Sequence, residues 1–592
     1  MSLLSILSNA TNALLNSQAQ INVVSSNIGN AQNPNYSQRS ADVVDKSPQN
    51  GGGTEVVDVS RAVDGTLQTN YLNQTTNSAS ANAVNQLYTQ LEELTGASTS
   101  SPVLSSALQT FQNAWQALQA TPEDTTAQAQ VLNSAQALVN TIQSVSHGVE
   151  QIAGAVTTQL GTDVNTLNSS LSQLATLNAQ IVSGKRAGQD TSALEDTRDQ
   201  LITTVAGLVP VQQQMNADGS IYLTTPSGVA LVNQSASSFS YNAASDSLYN
   251  SADPTKTSLN RALTNGQIGA EIGMLANTGS QAASDVGSVN DDLTQLAALN
   301  ATITAGGAAA TPAQTAQQNA LIAAINAQVP VTATAGALGI QNITLTTGGT
   351  PLVTGGAASP LAYNSTTDTV YLASDPTQAS LNGSLTSGTL HGDVASFTPV
   401  ANQTATGVGA LDKLRSQLNG LAALFYVAPP GTPSAFQAAY NPSGTAGADF
   451  FTGSSGASGR FTLSVNATTA SLAATISATP TIATNAAAVF TASTTTFTAG
   501  GLSTGPTNFL GIANAIASSQ STGAATATSN QATATANTSA AQQAYRNVTG
   551  VSSDQQLAEL VSLQNAYSAA AKIISTVQDL NNVLLTAVGG TP

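Results

Sequence analysis

The chain contains no cysteine, which removes disulfides, thiolate nucleophiles and thiolate metal sites together. Histidine is nearly absent as well: His147 and His391 stand far apart, so zinc or imidazole chemistry has little to work with and any metal would rest on carboxylates. Charge is scarce, at 7% of 592 residues against about 25% in an ordinary globular protein. The surface must therefore be built largely from Ser, Thr, Asn, Gln and Ala. Basic charge is the scarcest kind: thirteen Lys and Arg against thirty Asp and Glu leave a net charge of −17. This argues against a phosphate backbone or an acidic membrane face, so neither a nucleic acid nor a membrane is expected as partner. Met1 to Val24 carries no charge and the first basic residue is Arg39, so the basic start of a cleavable leader is missing. Ser, Asn and Gln interrupt that stretch too often for a bilayer span, which needs about 20 apolar residues.

What the sequence does have is periodicity at both ends. Leu3, Leu7, Ala10, Leu14, Ser17, Ile21, Val24 and Ile28 step by four and three, a heptad seam that calls for a partner helix. Near the other end Ser553 and Gln556 have capping-box spacing. They precede Leu560, Leu563, Tyr567, Ala570, Ile574, Val577, Asn581, Leu584 and Val588. Two terminal coiled-coil strands are expected, the alternative being two amphipathic helices packed on a globular core.

Between Val84 and Ile181 the pattern is helical. Leu104, Leu108, Phe111, Trp115 and Leu118 form one stripe, and Leu160, Val164, Leu167, Leu171, Leu174 and Ile181 form another. Thr121-Pro122-Glu123-Asp124 reads as N-cap, first-turn proline and acidic first turn. His147 is expected to be a packing or exposed residue, and Glu92-Glu93 a solvated face, since adjacent helix residues do not face each other. After Gly184 the period becomes two, with "NADGS" (216–220) as a hairpin connection.

The middle of the chain is duplicated. "LSQLATLNAQI" from Leu171 returns as "LTQLAALNATI" from Leu293, and "YNAASDSLYNSADPTKTSLN" from Tyr241 as "YNSTTDTVYLASDPTQASLN" from Tyr363, each 122 positions later. A helix with a small β domain has been copied in tandem. His391 aligns with Gly269, which favours a surface or packing role over a shared ligand. The stretch from Phe461 to Tyr545 has no charged residue; short strands are expected around "RFTLSVN" and "TTTFTA", with a looser Ala/Thr approach to the C-terminal helix. "GLSTG" (501–505) fits a nucleophile-elbow pattern, but no histidine follows it, so Ser503 is expected to be a turn serine. No catalytic, cofactor or metal site is expected.

Asn27-Ile28-Gly29-Asn30, then Pro34, Tyr36 and Ser37, resemble the signature near the start of flagellar rod, hook and hook-associated proteins. Asn35 replaces that signature's glycine, and Arg39 stands one place after its arginine; asparagine tolerates a left-handed backbone, so the turn is expected to survive. "TPEDTTAQAQVLNSAQALVNTI", "LEDTRDQLITTVAGLVPV" with "NADGSIYLTTPSGVALV", "GADFF" (447–451) and "GVSSDQQLAELVSLQNAYSAAAKIISTVQDLNNVLLT" are similar to blocks of the hook-associated protein 1 family. The second copy, 288–397, lies outside that family's usual pattern, with Gln318-Asn319 in place of Arg198-Asp199.

The resemblance implies an α+β multidomain fold: paired terminal coiled-coil helices, a long-helix bundle, and tandem small β-rich domains inserted in the middle. Residues 1–75 with 546–592 would line a tube, and 76–185 with 400–430 and 506–545 would form a helical shell. Residues 186–280 would be a first β-rich domain, 281–399 the duplicated helix with a second, and 431–505 a Thr/Ala-rich β segment. It implies a structural part of the bacterial flagellum at the hook-filament junction, exported through the type III apparatus with a chaperone. Partners would be further copies in a tubular ring, the hook protein and the second junction protein. Assembly would rest on Leu7, Leu14, Ile21, Asn27, Ile28, Asn30, Pro34 and Tyr36 with Leu560, Leu563, Tyr567, Ile574, Val577 and Leu584. Another flagellar axial protein, or a secreted Thr/Ala-rich adhesin, are the alternatives.

Overall fold

The structure is a computed structural model that describes residues 3–45, 54–97, 102–242, 247–254, 256, 258–275, 278–364, 369–387, 390, 409–426, 434–441, 449–455, 461–587 and 589. It is α+β. Helix α1 (Leu3–Gly29) leads into an antiparallel hairpin, β1 (Arg39–Asp45) and β2 (Thr54–Arg61). Three long helices follow: α2 (Gly65–Thr95), α3 (Val103–Ala120) and α4 (Thr125–Arg186). Helix α5 (Ser192–Leu208) opens the first β unit, made of β3 (Gln212–Met215), β4 (Ile221–Thr224) and β5 (Ala230–Val232) in one sheet, with β6 (Phe239–Asn242) and β7 (Ser247–Asn250) in another. Short α6 (Gly266–Leu275) returns the chain to the helices.

The second copy repeats this plan. Helices α7 (Thr278–Gly306) and α8 (Pro312–Gln328) precede a four-stranded sheet of β8 (Val331–Ala335), β9 (Gln341–Leu345), β10 (Pro351–Thr354) and β11 (Ala357–Ala358), then the pair β12 (Leu361–Asn364) and β13 (Thr369–Leu372). The chain comes back through α9 (Ala410–Ala423) and α10 (Ala435–Tyr440) to the hairpin β14 (Phe451–Ser455) and β15 (Phe461–Val465). Helices α11 (Thr469–Ala478) and α12 (Ile482–Thr491), hairpin β16 (Thr495–Ala499) with β17 (Leu502–Thr507), and helices α13 (Phe509–Thr549) and α14 (Ser553–Ala587) complete it.

Among the described residues three apolar cores result. The largest joins α2, α3 and the first half of α4 to α9 through α13, around Phe111, Trp115, Phe436, Phe450, Phe451 and Phe490. Ring centroids there lie 4.8 to 6.5 Å apart, mostly edge-on or tilted, the geometry aromatic quadrupoles favour. The second half of α4 buries Leu160, Val164, Leu167, Leu171 and Leu174 against α5 and the first β unit. The second copy has a core of its own, from Leu293 and Leu296 to Ile343, Leu352 and Val370.

The two copies share more than a pattern. In the first, Asn168 and Asn178 each grip the N–H and C=O of one strand residue, Phe239 and Ile221. In the second, Asn290 and Asn300 grip Leu361 and Gln341 in the same way. Even the positive φ recurs, at Lys256 (51°) and Gln378 (50°) after equivalent Asp-Pro-Thr turns. Arg198 donates to the Gly219 carbonyl at 2.9 Å, and Gln318 reaches the equivalent Gly339 carbonyl at 3.2 Å.

Several local expectations differ. Asp124, not Thr121, caps α4, accepting from Thr126 N–H at 2.8 Å, because Thr121 is taken up as the end of α3. The two strands expected in the uncharged stretch form as β15 and β16, but the rest is not a loose approach: it includes α11 and α12, and its Ala/Thr-rich end is the 41-residue helix α13. That helix is held by α2, against which its small side chains sit closely. A Cβ on Gly523 would lie 2.2 Å from the Tyr88 ring. Ser503 lies within strand β17, opposite Thr498; the turn is Gly500-Gly501, both at positive φ as a two-residue hairpin requires. His391 and Val588 lie outside the described residues.

Because each copy owns its core, removing one full period, residues 285–406, should join equivalent points and leave a soluble chain whose largest core melts as before. Circular dichroism and limited proteolysis would read this. Insolubility, or loss of the long helices, would mean that the copies depend on each other.

Candidate functional site

Helix α1 stops in a stretch of asparagines that provide its last carbonyls with donors. Asn30 returns both its backbone N–H (3.1 Å) and its side chain (2.9 Å) to the Ser26 carbonyl. Asn33 accepts from Asn35 N–H at 3.1 Å, and Asn35 itself does not take a positive φ, so the turn stands without the left-handed residue.

Asn27 is the centre of the corner and is fully buried. Its amide donates to the Arg39 carbonyl (2.8 Å) and to Gln556 Oε1 on α14 (2.7 Å). Its oxygen accepts from the Tyr36 hydroxyl (2.8 Å) and Arg39 N–H (3.0 Å). All four hydrogen-bonding capacities of one side chain are thus used, tying helix, turn, hairpin and C-terminal helix at a point. Gln556 therefore does not close a box with Ser553: its oxygen is committed to Asn27, and its amide points to Glu559 at 3.4 Å. A second asparagine on α1, Asn16, holds the far end of the hairpin through the Thr54 carbonyl and Val56 N–H.

The hairpin is also fixed to α5 by charge. Arg39 and Arg61 stand opposite each other across the strands, a repulsive pair unless countered. Arg61 meets three carboxylates, Glu195 at 3.0 Å, Asp196 at 2.6 Å and Asp199 at 2.9 Å, while Arg39 reaches Asp196 at 3.1 Å and lies 4.7 Å from the Tyr36 ring centroid. Lys185 bonds Glu195 at 3.0 Å. Burial alone would raise the Glu195 carboxyl, but Lys185, Arg61 and Thr191 hold it below its ordinary value of 4.5. Burial likewise works against the Arg61 charge, yet Asp199 and Asp196 make it harder than usual to deprotonate. A depressed carboxyl stabilises the fold above its unfolded value and loses that contribution as pH falls, so acid loosens the hairpin from α5.

Helices α1 and α14 pack on each other, antiparallel from Asn27 and Gln556. Leu7, Leu14, Ile21, Ile28 and Asn30 are half-buried, as are Leu560, Leu563, Tyr567 and Ile574, while Tyr36 and Val577 are buried. Pro34 is exposed, on an open polar cleft of about 420 Å³ shared with Asn33, Tyr36, Arg546, Asn547 and Ser552. Leu584 is 53% exposed, because α14 has 35 residues against 27 in α1 and runs past it. Asn16, Arg61, Glu195 and Asp196 are not singled out by the sequence pattern, and Gln556 enters it only as a capping residue. "LEDTRDQL" and the two hairpin arginines were the available signal in so uncharged a chain.

Among the described residues no group of three or more His, Cys, Asp or Glu is placed to hold a metal, His147 is exposed on α4, and no helix is long and apolar enough to cross a membrane.

Comparison with known proteins gives a consistent picture. The family model described as flagellar hook-associated protein FlgK helical domain matches residues 88–279 and 272–451, and that of the flagellar basal body rod FlgEFG protein C-terminal region matches 535–587. The second stretch of the first model takes in residues 288–397, which the sequence reading had left outside the family pattern; the copy keeps the same helix-to-strand anchors. Flagellar hook-associated protein 1 of Salmonella typhimurium is 28% identical over 264 residues, 43% of this chain and 46% of that protein. The Bacillus subtilis protein of the same name is 28% identical over 244 residues, 38% of this chain and 47% of its own length. These matches span less than half of the curated relatives. A solved structure of the flagellar hook junction protein FlgK from Burkholderia pseudomallei is 22% identical, with a TM-score of 0.32 over 39% of this chain and 44% of that one.

Replacing Asn27 by Ala would strand Gln556, the Tyr36 hydroxyl and both Arg39 backbone groups. We expect a loss of about 2–4 kcal/mol of stability and faster proteolysis of both terminal helices. Asn27→Asp keeps the acceptors but loses both donors, and should release α14 first. Chemical unfolding and mass mapping of the cleavage sites would check both.

Proposed function

The chain belongs to the flagellar hook-associated FlgK family, and from that premise we propose that it is the subunit joining hook to filament in a bacterial flagellum, assembling through α1 and α14 into a tubular ring. The observation that carries this reading is apolar surface left bare on the terminal helices after they have paired. On α14, Leu557, Val561, Ile573, Leu580, Val583 and Leu584 are 46–66% exposed, and on α1 Leu4 is 77% and Leu15 58% exposed. Exposed apolar area of this extent marks an association surface. At about 25 cal/mol per Å² its burial becomes large only when neighbouring copies cover it. The hook protein on one side and the second junction protein on the other are the further partners of this reading. Export through the flagellar type III apparatus with a chaperone delivers the subunit outside the cell. The role is architectural, with no substrate: Ser503 is an exposed strand residue.

Cells lacking the protein should build complete hooks that carry no filament, seen by electron microscopy; filaments of normal length on such hooks would refute the proposal. Ile574→Asp should block incorporation while leaving the helical middle folded, and Ser503→Ala should leave motility unchanged.

A further inference from the structure

The seam between the largest core and the first β core holds a buried acid pair that assembly does not call for. Asp163 on α4 and Glu271 on α6 are 7% and 4% exposed. The Gln267 amide lies between them, 2.7 Å from Asp163 Oδ2 and 3.1 Å from Glu271 Oε1, and Gln159 donates to Asp163 Oδ1 at 3.1 Å. Among the described residues Glu271 Oε2 has no donor of its own. Two carboxylates this close in a poorly solvated place cannot both hold a charge cheaply. Burial first, then the hydrogen bond and charge of Asp163, push the Glu271 carboxyl up to about 8. Protonated, it becomes the donor that Asp163 accepts.

The place matters. Ala270 and Met274 belong to the largest core, whereas Ile268 and Ile272 belong to the first β core. The second copy leaves from here, since α7 starts at Thr278, and the chain returns here, where Gly409 N–H donates to the Gly273 carbonyl at 2.8 Å. We propose that Asp163 and Glu271 share one proton and form a proton-dependent tie between α4 and α6, tightened by acid and loosened by alkali, at the root of the duplicated unit.

Helices α2, α4, α5 and α9 pack against α6. Of these, α2 brings Tyr71, Tyr88, Glu92 and Glu93, and α9 brings Asp412, Lys413 and Arg415. On α5, Glu195, Asp196 and Asp199 are engaged with Arg61, and Arg198 bonds Gly219. The rest of α4 brings His147, Glu150, Lys185 and Arg186, yet among the described residues Asp163 is the one charge that acts on Glu271. A carboxyl whose folded value is raised binds its proton in the closed state over a pH range where the open state has lost it. Each rise in pH from the ordinary 4.5 to about 8 therefore favours opening, and the effect levels off beyond.

Hydrogen exchange of the full-length protein, corrected for intrinsic exchange and followed from about pH 5 to about pH 9, tests this. The opening constant of residues 266–275 should rise towards tenfold per pH unit up to about pH 8 and then level off. Glu271→Gln keeps the shape and supplies a permanent donor, so it should flatten the profile and slow opening at pH 8 by at least about tenfold. Asp163→Asn removes the second charge but not the burial, so its profile should level off at a lower pH and rise less by pH 8; it serves if the first variant folds poorly. A flat wild-type profile, or the same profile in wild type and variants, overturns the proposal.

Discussion

One interaction recurs at five places where a helix of this protein meets the start of a strand: an asparagine on the helix accepts from the N–H and donates to the C=O of a single residue. Asn27 does this to Arg39, Asn178 to Ile221, Asn168 to Phe239, Asn300 to Gln341 and Asn290 to Leu361. Each of the five is the first residue of its strand. A side-chain amide carries the same donor and acceptor as a peptide unit, so it stands in for a missing neighbour strand and satisfies both groups without charge. A slip of one residue would turn both groups away, so the contact also fixes register. A chain with so few ions has little else that is directional enough to orient sheets on helices.

The exception is the hairpin after α1, where ions are concentrated. Four of the thirteen basic residues, Arg39, Arg61, Lys185 and Arg198, gather around Glu195, Asp196 and Asp199. Buried ion pairs are costly to assemble and more costly to break singly. Spending charge here and sparing it elsewhere makes the terminal corner a rigid unit fixed to the first β unit. The second copy has no such hairpin to hold, and Gln318 replaces the arginine while reaching the equivalent carbonyl.

Features that repeat locally were legible in the sequence. The α4 seam Leu160 to Ile181 and the tandem copies could be read because each depends on spacing within one segment. The asparagine contacts could not: their partners are 12 to 71 residues away, and a buried asparagine looks like a surface one. Helix α13 was obscured for a different reason. Ala, Thr and Ser leave almost no apolar period, and the helix depends on the closeness of α2, with Thr538 bonding the Gln74 carbonyl and Tyr545 stacked on Tyr71. At the corner, Asn27 and Tyr36 are visible as a pattern, but Asn27's partner Gln556 lies 529 residues away and its spacing from Ser553 reads as a local cap.

The unequal lengths of α1 and α14 give the terminal pair a direction. With Asn27 level with Gln556, Leu3 comes level with about residue 580, and among the described residues α14 extends roughly two turns beyond that level. One end of the pair is a hydrogen-bonded corner centred on the fully engaged Asn27; the other bears the exposed Val583, Leu584 and Leu585 of α14. Copies set side by side with the same orientation would form a cylinder with two unlike rims, one polar and one apolar. Such a cylinder is polar along its axis, so whatever docks above it meets a different surface from whatever docks below.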